Sequence, residues 1–240
     1  MRESVARVVE PFLAEADSVA GQGYSAVLYG SAARGDFVPG RSNINLMLVL
    51  DDLSSATLRS LGRAFIAWRK KSPEPPLVMS RAEWDRASDA FPIEITDMRT
   101  SYRVLRGPDP LHGVAIDPAD LRKALEREFR GKLLRLRQGY AAHAPDPGAL
   151  GALALQSAAT ILVLLRGVLV LLDKRVPQDP LELATHAAAT IGFEGEHLLY
   201  VVRHRTDREW RCGAPEFENY MTAVEGTARF VDQLQLGDQQ

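Results

Sequence analysis

The stretch from Leu28 to Leu50, LYGSAARGDFVPGRSNINLMLVL, carries residue types suited to binding an anion. Gly30 allows the backbone to turn tightly and to come close to a phosphate. Ser31 beside it supplies a hydroxyl and a backbone N–H, and a helical turn beginning there would favour negative charge at its N-terminus. Arg34 follows with a guanidinium, for which a triphosphate contact and an ordinary surface position are equally good explanations.

Two amide side chains, Asn43 and Asn45, stand at the start of the apolar run that follows. Side chains two residues apart on a strand point to the same face of the sheet. Two carboxylates in such a pair could hold Mg²⁺ on a triphosphate, and a third carboxylate on a neighbouring strand would complete a two-metal site. Ordinary polar residues on a half-exposed strand are the alternative explanation of the two asparagines.

The Gly-Ser turn and the strand after it together resemble the nucleotidyltransferase superfamily of the DNA polymerase β type, especially its small bacterial aminoglycoside-nucleotidyltransferase-like branch. In that family a strand leads into a Gly-Ser turn, and an acidic–apolar–acidic triplet follows after a loop. Gly30-Ser31 matches the turn, and Asn43 and Asn45 occupy the acidic positions. The resemblance implies an NTP ligand, with ATP as the expected nucleotide, Mg²⁺ as cofactor, and transfer of an NMP to a hydroxyl of a small-molecule acceptor.

The resemblance also assigns residues to the site. Those assigned to nucleotide binding are Gly30, Ser31, Arg34, Ser42, Asn43 and Asn45. It extends to Phe91-Pro92-Ile93-Glu94, where the family carries a third acidic residue on a later strand. Glu94 would then be a metal ligand or the catalytic base that takes a proton from the attacking hydroxyl. Because apolar residues alternate with Glu94, we expect a strand over Phe91–Met98 that presents this carboxylate to the pocket.

The sequence departs from the family at the paired acidic positions, where Asn43 and Asn45 bring no charge. One unit charge lost about 4 Å from the metal is worth roughly 4 kcal/mol at an effective dielectric constant of about 20. We therefore expect weakened Mg²⁺ binding and a pseudoenzyme that binds a nucleotide or another anion with weak or no NMP transfer. Two alternatives stay open: an active transferase that uses Asp36 together with Glu94, and a non-catalytic interaction or regulatory module.

A mixed sheet with helices must position these residues. Periodicity predicts helices over Arg2–Ala20 and from Ser54 or Ser55 to about Lys70, and strands over Tyr24–Tyr29, Asn43–Leu50 and Leu77–Met79. After residue 117 the pattern predicts helices over 117–142, 149–173, 179–190, 194–205 and 215–235. The expected fold is an α+β nucleotidyltransferase-like domain over 1–116, with a short mixed sheet and helices, followed by an all-α helical-bundle domain over 117–240.

The composition of the 240 residues disfavours several classes of protein. Lys and Arg number 29 against 31 Asp and Glu, which argues against a nucleic-acid partner because phosphate neutralisation needs a basic excess. The single cysteine, Cys212, rules out an internal disulfide and a cysteine-based zinc site. The N-terminus lacks the apolar segment of a secretory signal, and the apolar stretch Leu150–Leu172 contains Arg166, which is costly in lipid. We expect a cytoplasmic protein with no membrane partner, which could form a homo-oligomer.

Overall fold

The computed structural model describes residues 1–35, 37, 43–207 and 209–235. The chain forms two compact units, Met1–Ile116 and Asp117–Gln240. The first unit combines a mixed sheet with helices, and the described part of the second is helical. This architecture confirms the expected fold class.

A four-stranded sheet forms the middle of the first unit. Its strands are β1 (Tyr24–Tyr29), β2 (Asn45–Leu50), β3 (Leu77–Ser80) and β4 (Tyr102–Arg106), in the order β3-β2-β1-β4. Strand β1 runs antiparallel to β2 and β4, whereas β2 and β3 are parallel. All residues of β1 and β2 are buried except Tyr29 and Asn45, which lie opposite each other at one end of the pair. The two central strands are therefore most accessible at that end.

The helices of the first unit cover both faces of the sheet. They are α1 (Glu3–Ala20), α2 (Ser31–Arg34), α3 (Ser55–Arg69), α4 (Arg81–Trp84) and α5 (Pro92–Thr100). Leu46 and Leu48 of β2 pack into one core with α1 and α3, whereas Met47 and Val49 face a second core with α4 and α5. This alternation follows from the two-residue repeat of a strand, and it places Asn45 on the face of the second core.

The predicted strand over Phe91–Met98 is wrong, because this segment forms helix α5. Pro92 occupies the first turn of the helix, where its fixed φ is favourable and its missing N–H costs nothing. Ile95 and Met98, three residues apart, are both buried against the sheet, as the helical repeat requires. Glu94 therefore lies on the first turn of a helix and is exposed.

The second unit consists, in the residues described, of α6 (Pro118–His143), α7 (Pro147–Leu171), α8 (Pro180–Ile191), α9 (Gly195–Arg203) and α10 (Ala214–Gln233). The predicted helices are confirmed, with ends within two residues of those expected. An Asp-Pro pair begins each of α6, α7 and α8, and each aspartate accepts hydrogen bonds from backbone N–H groups of the first turn.

Helix α7 forms the centre of the second unit and contacts each of the other four helices. Among the described residues it is the one helix long and apolar enough to cross a membrane by length and composition alone. Of its most apolar stretch, 56% is buried within the protein, and core helices of soluble proteins pass the same test. The burial of α7 is the arrangement expected of such a core helix.

Candidate functional site

A tight turn joins β1 to α2 at Gly30. Its φ of 69° and ψ of −147° fall in a region of backbone conformation that is essentially restricted to glycine. The turn is held on both sides: the Gly30 N–H donates to the carbonyl oxygen of Ser101 at 3.0 Å, and the Gly30 carbonyl accepts from Ala33 and Arg34. The sequence thus positions Ser31 at the first residue of α2, where backbone N–H groups have no partner within the helix.

The amide of Asn45 lies directly against this turn. A Cβ atom placed on Gly30 would stand 3.0 Å from Nδ2 of Asn45, which leaves room only for glycine unless the amide moves. Asn45 itself is half-buried and pairs with Tyr29 across the two strands. Asn43 lies two residues earlier in the chain, is exposed and precedes the first residue of β2. The structure therefore brings Gly30 and Asn45 together.

Of the other residues predicted for the site, two lie on α2 and two lie outside the described part of the chain. Ser31 and Arg34 are the first and last residues of α2, and both are half-buried. Asp36 and Ser42 lie outside the described residues.

Glu94 is not on a strand next to Asn45, contrary to the expectation. Strand β2 lies between β1 and β3, which the structure describes in full, and neither YSAVLY of β1 nor LVMS of β3 includes a carboxylate. Glu94 instead contributes to a pocket of about 440 Å³ in the first unit, together with Glu74 and Tyr29. Sequence reasoning missed the last two residues. The position of Tyr29 next to the Gly-Ser turn and that of Glu74 between two prolines were the available signals.

Negative charges around this pocket shift the pKa of the Tyr29 phenol. Burial, followed by the charges of Asp97, Glu94 and Glu74, raises the pKa of Tyr29 to about 12. Desolvation and nearby anions act in the same direction, because both disfavour the phenolate. The hydroxyl therefore stays protonated at neutral pH and can donate a hydrogen bond.

The described residues do not fit the two-metal centre of a magnesium-dependent transferase. In the part of the chain that the structure describes, no group of three or more His, Cys, Asp and Glu side chains could hold a metal ion. Mg²⁺ requires near-octahedral oxygen ligands and relies on carboxylates for charge. Asn43 and Asn45 supply amide oxygens without charge, and Glu94 belongs to a different segment of the site.

No protein-family model matches the sequence, and no curated protein matches it significantly. Among solved structures, the chain is similar to the spectinomycin adenyltransferase AAD(9) from Enterococcus faecialis, whose crystal structure contains ATP and spectinomycin. The two share a TM-score of 0.60 and 12% sequence identity, over 95% of this chain and 98% of that chain. The fold is nucleotidyltransferase-like. At this identity the likeness concerns the fold, and it agrees with the resemblance of the Gly-Ser turn and of β2.

Proposed function

We propose that the chain is a nucleotide-binding member of the nucleotidyltransferase fold with weak or no NMP transfer. The observation that carries the proposal is the uncharged amide of Asn45 against the Gly30 turn, where the related chemistry needs a carboxylate for metal. ATP is the expected nucleotide, because the similar adenyltransferase structure contains it. The proposal places the nucleotide in a domain formed by residues 1–116 of a cytoplasmic protein.

The amides change what the site can bind as well as what it can catalyse. A pair of carboxylates repels a triphosphate unless Mg²⁺ lies between them, whereas an amide NH₂ group donates hydrogen bonds to phosphate oxygens directly. Gly30 permits close approach of the backbone, and Ser31 adds a hydroxyl and an N–H. We therefore expect the protein to bind a nucleoside triphosphate without needing Mg²⁺.

Thermal unfolding tests this proposal through the stabilisation that a bound ligand provides. The protein is heated with ATP, GTP, CTP or UTP, each in the presence of Mg²⁺ or of a chelator. A ligand at about 100 times its Kd stabilises the folded state by about 2.7 kcal/mol. We expect stabilisation by at least one NTP to the same extent with and without Mg²⁺.

The double variant Asn43→Asp/Asn45→Asp supplies the contrast. It restores carboxylates at the paired positions, so its stabilisation by the NTP should require Mg²⁺. Asn219→Asp, an exposed change of the same kind on α10, is the matched control and should behave as the natural protein does. Nucleotide binding that depends strictly on Mg²⁺ in the natural protein, with NMP transfer to an acceptor, would instead support the active transferase. Absence of any NTP effect would support an interaction module.

A further inference from the structure

The pocket of about 440 Å³ in the first unit has mostly apolar walls. Leu77 and Met79 of β3 line one side, and Ile95 and Met98 of α5 line another. Phe91 lies beside α5 with 45% of its surface exposed, so its ring is available to a ligand. A volume of this size accommodates a small organic molecule.

Two carboxylates interrupt these apolar walls. Glu74 and Glu94 both line the pocket, and neither forms an ion pair with any residue that the structure describes. The backbone carbonyl of Glu74 accepts a hydrogen bond from Nε1 of Trp68 at 2.6 Å, which fixes the turn that carries it. Glu94 is fixed differently, on the first turn of α5. The pocket therefore combines a hydrocarbon lining with two solvent-exposed carboxylates that come from separate segments.

We propose that this pocket binds a small organic cation, an amine with an apolar body. The ammonium group would pair with Glu74 and Glu94, and the hydrocarbon would displace water from the apolar walls. The exposed ring of Phe91 adds a surface on which a cation or a hydrocarbon can lie. A polyhydroxylated cation fits less well, because hydroxyls buried against Leu77 or Ile95 would lose hydrogen bonds to water.

The pocket is distinct from the turn at Gly30, but the two adjoin through Tyr29. This residue precedes Gly30 in the chain and also lines the pocket. A bound amine would consequently lie in the same unit as the proposed nucleotide and next to Tyr29. Binding of the amine does not require the nucleotide, so the two proposals stand or fall separately.

Three probes of nearly equal shape separate charge from hydrophobic burial: 2-phenylethylamine, 2-phenylethanol and 3-phenylpropionate. Each is titrated into the full chain by calorimetry or NMR. We expect the amine to bind about tenfold more tightly than the alcohol, the effect of two partly exposed ion pairs, and the carboxylate to bind most weakly. Equal affinity for the amine and the alcohol would overturn the proposal.

Isosteric variants test whether the preference for the amine over the alcohol arises from the carboxylates of the pocket. Glu74→Gln/Glu94→Gln should bind amine and alcohol equally, with unchanged affinity for the alcohol, and each single variant should lose part of the preference. The control Glu15→Gln/Asp89→Asn removes two exposed carboxylates of the same unit that do not line this pocket, and it should keep the preference in full.

Retention of the amine preference in the pocket variant, or its loss in the control, would also refute the proposal. The NTP stabilisation is measured on the same samples, so failure of nucleotide binding is seen independently.

Discussion

Replacing Gly30 by alanine separates the strain of the turn from its role in the site. Gly30 and Gly21 have similar backbone conformations, with φ of 69° and 57° and ψ of −147° and −122°. A side chain in such a region costs on the order of 1–3 kcal/mol. The two positions differ in their surroundings, because a Cβ on Gly30 meets Nδ2 of Asn45 at 3.0 Å whereas one on Gly21 meets nothing within 4 Å.

We expect Gly30→Ala and Gly21→Ala to destabilise the first unit by similar amounts, about 2 kcal/mol each. For a unit of this size that corresponds to a decrease in Tm of roughly 8 °C, taking about 4 °C per kcal/mol. Only Gly30→Ala should also displace the Asn45 amide. Since a charge-assisted hydrogen bond contributes about 1.5–3 kcal/mol, nucleotide affinity should decrease about tenfold or more in that variant alone.

Two assays read these effects separately. Thermal or denaturant unfolding gives the loss of stability, and NTP titration below the unfolding transition gives the affinity. The NMR signals of the Asn45 side-chain amide supply a third readout that does not depend on a ligand. The reasoning is refuted if Gly21→Ala weakens nucleotide binding as strongly as Gly30→Ala, or if the Asn45 amide signals respond equally to both changes.

Two further predictions concern stability and reactivity. In denaturant unfolding, Gly107→Ala should destabilise the first unit by about 1–3 kcal/mol more than Gly113→Ala. Both glycines have positive φ, but only a Cβ on Gly107 would overlap a backbone oxygen, that of Tyr24 at 2.2 Å. Equal losses of stability would contradict this prediction. Burial raises the pKa of the Cys212 thiol from 9.0 to about 11, and two pKa units lower the thiolate fraction at pH 8 by about a hundredfold. Modification by a thiol reagent should therefore be at least that much slower in native than in denatured protein and should accelerate as the pH rises towards 11, whereas equal rates would show that the thiol is accessible.

Much of the fold could be predicted from sequence because its elements carry strong local signals. Strand β1 is a mostly apolar run bounded by glycines, and three helices of the second unit, α6, α7 and α8, begin at Asp-Pro pairs. Strand β4 was missed because two of its five residues, YRVLR, are arginines, and charged side chains are typical of an edge strand. Helix α5 was mistaken for a strand because Phe91, Ile93 and Ile95 alternate with other residues as in a strand. Such a short alternation does not exclude a helix, and Ile95 and Met98 also have the three-residue spacing of a helix.

The candidate site, too, could be predicted from the sequence only in part. The contact between Gly30 and Asn45 follows from a turn and a neighbouring strand, which local patterns predict well. The pocket does not follow from such patterns. Tyr29, Glu74 and Glu94 come from three segments far apart in sequence, and only the packing of α5 on the sheet brings them to one cavity.

The division of the chain at residue 116 has a consequence for every melting experiment on this protein. Each unit buries its own set of apolar side chains, so the two can unfold as separate cooperative steps, and a single midpoint is then not a defined quantity. Where the two steps are separate, a ligand held entirely by the first unit raises the temperature of that unit's step only. The unfolding step of the second unit thus serves as an internal reference, against which ligand binding to the first unit can be measured.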